Sequence, residues 1–97
     1  MTDKNLFITG ASTGIGAATA RLAARDGWNV AIGYRSSADA AEAVADEVRA
    51  QGRKAITVPG DIGDPAAIAG IFEAADALGP MNGFVNNAGI VANAVRV

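Results

Sequence analysis

Short apolar runs alternate along this chain with longer stretches in which apolar residues return every three or four positions. Leu6-Phe7-Ile8-Thr9 is the first run and reads as a buried strand. The stretch from Ile15 to Asp26 predicts a helix, with Ile15, Ala18, Leu22 and Ala23 on one face and Arg21, Arg25 and Asp26 away from it. Gly27 stops that helix, and Val30-Ala31-Ile32 forms the next strand. Ser36 or Ser37 can cap a second helix, in which Ala41, Val44, Ala45 and Val48 fall at helical spacing, and Gly52 ends it. Ala55-Ile56-Thr57-Val58 is a third strand. Asp64-Pro65 supplies a cap followed by proline at the first helical position. Ile68, Ile71, Phe72 and Ala75 are expected on the inner face of the third helix, and Phe84-Val85 is the core of a fourth strand. Strands that alternate with helices imply crossover units and a parallel sheet. The near-continuous apolar character of the strands fits a sheet covered on both faces.

Between the first strand and the first helix stands Gly10-Ala11-Ser12-Thr13-Gly14-Ile15-Gly16. A helix N-terminus leaves N–H groups unpaired and carries partial positive charge, so a pyrophosphate fits there. Side chains at the glycine positions would block its approach. The spacing is not the usual dinucleotide fingerprint, which has glycines at offsets of two and then three. Here the offsets are four and then two, and no lysine follows Gly16 as a triphosphatase loop would require. Taken alone, the cluster also fits a tight turn with flexible punctuation.

A second cluster, Asn86-Asn87-Ala88-Gly89, adds to it. Together with Thr9-Gly10-Ala11-Ser12-Thr13-Gly14-Ile15-Gly16 it resembles the short-chain dehydrogenase/reductase family, along the chain from about Leu6 to Ile90. The resemblance implies an α/β fold: a Rossmann-type parallel sheet of order 3-2-1-4 with flanking helices and an incomplete C-terminal half. Residues 1–97 would be a single NAD(P)-binding domain, the N-terminal part of a longer reductase. The first and fourth strands part at the topological switch point, where ligands bind beyond the carboxyl ends of the strands. The family reading makes Gly10, Ser12, Thr13, Gly14, Ile15 and Gly16 the phosphate loop. It also brings Asp61 and Ile62 to adenine, and Asn87 to the adenosine ribose, followed by Ala88 and Gly89. Asp61 has a structural alternative, capping the next turn through backbone N–H groups. Asn86 is expected to hold neighbouring strands, and Thr9 to tie the glycine loop to the Asn86–Gly89 turn. Asn82 departs from the family pattern, which usually carries aspartate before the final strand.

The cofactor choice turns on the end of the second strand. NAD-selective proteins usually place an acid there, against the ribose hydroxyls. Here Tyr34 stands at that position, and Arg35 and Ser36 follow. A guanidinium and a hydroxyl can hold a 2′-phosphate, which favours NADP(H), with NAD(H) possible. The alternative makes Arg35 a solvated loop residue and Ser36 only a cap.

The family's hydride chemistry uses a serine, a tyrosine and a lysine four residues after that tyrosine, all beyond the Asn-Asn-Ala-Gly motif. The only tyrosine here is Tyr34, followed four residues on by Ala38, and the only lysines are Lys4 and Lys54. No catalytic residue is therefore assigned. The expected function is that of an NADP-dependent oxidoreductase acting on a carbonyl or secondary alcohol, without its catalytic segment. The alternatives are a non-catalytic dinucleotide-binding module and a structural half-domain. With no cysteine and no histidine, thiol chemistry, disulfides and a transition-metal site are not expected. A net charge of −2 argues against nucleic acid, and no apolar stretch is long enough to span a membrane. The expected location is cytoplasmic. The fourth strand would leave an open, apolar edge, so a homo-oligomer through that edge or through the missing C-terminal half is expected. Trp28, the only tryptophan, is expected to plug the core in part.

Overall fold

The computed structural model describes residues 4–87. Its elements are β1 (Lys4–Thr9), α1 (Gly14–Arg25), β2 (Trp28–Tyr34), α2 (Ala38–Ala50), β3 (Ala55–Pro59), α3 (Pro65–Ala75) and β4 (Gly83–Asn86). A short 3-10 turn, Asp76–Leu78, joins α3 to the approach of β4 and was not foreseen in the sequence. The strands form one parallel sheet in the order β3-β2-β1-β4, as expected.

Side chains of a strand alternate between faces, so each apolar run feeds two cores. Leu6 and Ile8 of β1 with Val30 and Ile32 of β2 pack beneath α1 and α2. Phe7 and Ala31 point the other way, against Val58, Ile71 and Ala75. All four of Ala41, Val44, Ala45 and Val48 are buried, as their spacing predicts. Trp28 is half-buried against the first core.

Two helix faces differ from expectation. In α1 the buried residues are Gly16, Ala17, Ala20 and Ala24, whereas Ile15 is 72% and Leu22 56% exposed. The helix lies close to the sheet, and only glycine and alanine fit between them. The larger residues therefore turn outward. In α3, Ile71 and Ala75 are buried and Phe72 half-buried, but Ile68 is exposed.

Caps follow the sequence in part. Asp64 accepts a hydrogen bond from the Ala66 N–H at 3.0 Å, satisfying an orphan donor of α3. Ser37 occupies the N-cap position of α2 but makes no side-chain cap hydrogen bond. Gly27 and Gly52 follow the ends of α1 and α2 with φ of +95° and +82°, the left-handed region that glycine enters without strain. On the helix layer Arg21 of α1 pairs with Glu47 of α2. That hydrogen bond holds the Glu47 carboxyl below the ordinary carboxylate value.

At the amino ends of the strands a chain of amides crosses the sheet. The Asn29 side-chain NH2 donates to Asn5 Oδ1, and the Asn5 NH2 donates to the Pro80 carbonyl, both at 2.9 Å. The Lys54 N–H donates to Asn29 Oδ1, and the Asn5 N–H donates to Asn82 Oδ1. Each buried amide is thereby satisfied, and the entries to all strands are clipped together. Asn82 thus fills the accepting role open to an aspartate at this position.

Candidate functional site

The glycine loop follows the carboxyl end of β1, beside the carboxyl end of β4. Gly10 and Gly14 adopt φ of +61° and +60°. Between them Ala11 turns its N–H back to the Gly33 carbonyl at 2.8 Å, fixing the loop to the end of β2. The first i→i−4 bond of α1 runs from the Ala17 N–H to the Thr13 carbonyl. The N–H groups of Gly14, Ile15 and Gly16 consequently have no partner within the helix. Thr13 is the N-cap in extended conformation, with its hydroxyl making no cap bond.

The three glycines do different work. A Cβ on Gly14 would meet nothing within 4 Å, so this position opens outward. A Cβ on Gly16 would fall 2.1 Å from the Gly10 carbonyl oxygen and 2.9 Å from the Ala11 Cα. Gly16 is the point where α1 presses on the loop. The cradle therefore exists only because this position has no side chain.

The fourth strand supports the loop from behind. Thr9 Oγ1 donates to Asn86 Oδ1 at 2.9 Å, the strand-to-strand tie expected of that pair. Asn87, which is buried, donates from Nδ2 to the Gly10 carbonyl at 3.0 Å. Gly10 is thus held from both sides. Ala88 and Gly89 lie outside the described residues.

A small pocket opens beside the loop, at the ends of β2 and β3. Phe7, Val58 and Ile71 form its apolar floor, and Tyr34, Arg35, Asp61 and Ile62 stand around it. Arg35 and Ser36 directly follow β2 and are exposed. The Gly60 N–H donates to the Tyr34 carbonyl at 3.0 Å, closing one wall. Asp61 Oδ1 accepts from the Gly63 N–H at 2.9 Å, which is the local turn considered for it. Its second carboxylate oxygen is not used in that turn. Ile62 is half-buried against the core of Phe7, Val58 and Ile71.

Two lining residues were missed in the sequence. A Cβ on Gly33 would lie 2.8 Å from the Ile8 carbonyl oxygen, and one on Gly60 would lie 2.5 Å from Ile71. A glycine inside an apolar strand, as Gly33 is, was the available signal for such a close approach. Among the described residues no cluster of acidic side chains could hold a metal ion. No helix of the described residues is long and apolar enough to cross a membrane.

A family model described as short chain dehydrogenase matches residues 4–96. An oxidoreductase of unassigned substrate from Methylorubrum extorquens is 43% identical over 88 residues, covering 90% of this chain and 36% of the relative. An L-rhamnose 1-dehydrogenase (NAD(P)(+)) from Sphingomonas is 42% identical, with 90% and 35% covered. The crystal structure of a Burkholderia cenocepacia dehydrogenase with bound NADP superposes with a TM-score of 0.82 at 35% identity, over 88% of this chain and 34% of that one. The chain spans about a third of the length of these relatives. With the parallel 3-2-1-4 sheet and the glycine loop at its switch point, the match places this chain in the short-chain dehydrogenase family.

Proposed function

We propose that this chain is the dinucleotide-binding part of an NADP-dependent oxidoreductase that moves a hydride between cofactor and a carbonyl or secondary alcohol. The observation that carries the reading is the cradle at Gly14 and Gly16. Three N–H groups of the first turn have no partner within the helix there, one glycine leaves open space, and the other admits no Cβ. Such a site takes a pyrophosphate through backbone donors and the helix dipole. The bound nicotinamide supplies the hydride-carrying centre. The residues of this chain bind and orient. Asn87 and Ala11 hold the loop, Ser12 and Thr13 offer hydroxyls beside it, and Ile15 covers it from the helix. The Phe7–Val58–Ile71 floor suits the flat face of adenine, with Asp61 and Ile62 at its rim and Asn87 on the ribose side; the Ala88 and Gly89 contacts implied by the family motif remain part of the proposal.

Arg35 and Ser36 support NADP over NAD. Both are exposed at the end of β2, and no acidic residue adjoins them in the sequence Tyr34-Arg35-Ser36-Ser37. A charge-assisted hydrogen bond contributes about 1.5–3 kcal/mol, or roughly tenfold or more in affinity. The test is fluorescence titration of both reduced cofactors against wild type and Arg35→Ala. NADPH is expected to bind more tightly, to lose that advantage in the variant, and to lose part of it at high salt through screening. Equal weakening of both cofactors would assign Arg35 a structural role, and no change would remove the NADP reading. The chain Met1–Val97 alone, with no tyrosine–lysine pair for proton transfer, is expected to bind cofactor without turning it over. A cytoplasmic location, no nucleic-acid partner and self-association through the β4 edge complete the proposal.

A further inference from the structure

Six asparagines occur in the chain, and only Asn82 is followed by glycine. A glycine without a Cβ lets its peptide nitrogen swing onto the preceding side-chain carbonyl, which bulkier residues hinder. Asn5 and Asn29 precede Leu6 and Val30, are buried, and have their amides tied into the strand network. Asn82 is exposed and lies at a bend just before β4. We propose that Asn82–Gly83 is a self-modification site, at which the Asn82 amide is lost as ammonia through a cyclic imide.

One contact favours the step. The Asn5 N–H donates to Asn82 Oδ1 at 2.9 Å. Negative charge builds on that oxygen when nitrogen adds to Cγ, and a fixed donor there stabilises it. The Asn82 N–H is bonded to the Asn5 carbonyl at 2.8 Å, so Asn82 faces β1. Successive peptide groups of a strand point to opposite sides, so the Gly83 N–H faces the outer edge of the sheet, outside the β1 ladder, and its nitrogen reaches Asn82 Cγ by rotation about the Asn82 Cα–C bond. Asp26–Gly27 offers the same pair of residue sizes, but its Gly27 N–H is committed to the Ala24 carbonyl.

The chemistry balances with water alone. The Gly83 nitrogen, having given up its proton, bonds to Asn82 Cγ. The Cγ–Nδ2 bond breaks, and ammonia leaves with the proton. Water then opens the imide at one of its two carbonyls. Opening at the main-chain carbonyl leaves the chain running through the former side chain, as isoaspartate. Opening at the side-chain carbonyl gives aspartate. Nothing is oxidised or reduced.

The two products differ in consequence. Aspartate keeps an oxygen for the Asn5 N–H. Isoaspartate inserts one carbon into the main chain where β4 begins and breaks both bonds between residues 5 and 82. It also displaces Gly83, which lies beside the Trp28 ring: a Cβ there would be 3.7 Å from Trp28 Cζ3. Beyond Gly83, β4 carries Asn86 and leads into Asn87, whose bonds hold Thr9 and Gly10.

The test keeps the purified chain, natively folded, at mildly alkaline pH. Tryptic peptides are then fragmented to locate any exchange of amide for carboxyl, with enzymatic methylation reporting isoaspartate. The expected result is modification at Asn82 ahead of every other asparagine, faster as pH rises, with Trp28 emission changing as isoaspartate accumulates. Asn82→Gln, which needs a larger imide ring, is expected to remove the mass gain while leaving emission as in fresh protein. Asn82→Asp is expected to keep the fresh emission. Retention of the Asn82 amide in native protein, with loss only after unfolding in urea, would overturn the proposal. Isoaspartate accumulating without any change at Trp28 would overturn its coupling to the β4 register.

Discussion

Glycine at position 16 is required by contact and at position 14 by backbone conformation, and substitution separates the two. A Cβ on Gly16 meets backbone atoms of Gly10 and Ala11, which cannot rotate away as a side chain would. Gly16→Ala is therefore expected to push α1 off the loop, lowering the melting temperature and abolishing nucleotide binding. The 2.1 Å approach to the Gly10 carbonyl oxygen makes the effect on the fold severe. Gly14→Ala meets open space but places a side chain at φ +60°, costing about 1–2 kcal/mol. It is expected to fold and to bind more weakly. Comparable unfolding temperatures for the two variants would show that the loop and helix relax apart freely. Asn5→Ala tests the amide chain. It removes the donor to Pro80 and the acceptor for Asn29, leaving buried partners unsatisfied at a cost of about 1–3 kcal/mol each. Chemical denaturation is expected to show a large loss of stability, and a change near zero would mean water replaces the amide.

Elements were legible where their requirement was local. The glycine loop declares itself because turn, helix start and close approach each demand particular residues within a few positions. The inner face of α2 was read correctly, because valine at 44 and 48 stands out against alanine and acidic neighbours. The face of α1 was not. Its sheet-facing residues are glycine and alanine, which carry little hydrophobic contrast, so Ile15 and Leu22 drew the stripe to the wrong side. The amide chain was illegible for another reason: Asn5 meets Pro80 and Asn82 across more than seventy residues of sequence, and no short pattern encodes that. Among the candidate site residues, those on the loop were named from the motif resemblance and Arg35 and Ser36 from their place after β2. Gly33 and Gly60 matter only through what their backbones touch. The corrected α1 face has a direct consequence. Ala20→Leu is expected to destabilise the fold by about 1–3 kcal/mol through overpacking, whereas Leu22→Gln is expected to leave it unchanged. Denaturant midpoints of the two variants check this, and the reverse order would restore the face first expected.

For the whole molecule the decisive feature is the contrast between the sheet's two outer strands among the described residues. β3 is preceded by Arg53 and Lys54 and closes on Pro59, devices that blunt an edge against pairing. β4 has neither charge nor proline in Gly83-Phe84-Val85-Asn86, and Phe84 is 45% exposed beside Phe7 and Phe72, with ring centroids 5.5 and 5.2 Å away. Among the described residues no strand lies outside residues 83–85, and an open edge next to an exposed ring favours pairing with a like edge, most simply across a two-fold axis. Self-association through β4 is therefore expected in solution, growing with concentration in analytical ultracentrifugation. Phe84→Lys adds a charge to the edge and should shift the population to monomer. Loss of two aromatic contacts should cost about 0.5–1.5 kcal/mol apiece in stability, so the variant is compared at a temperature where both proteins remain folded. Thr57→Lys on the β3 edge is the matched control and should leave association unchanged. If both variants dissociate the assembly equally, charge alone explains the effect. If neither does, β4 is not the interface.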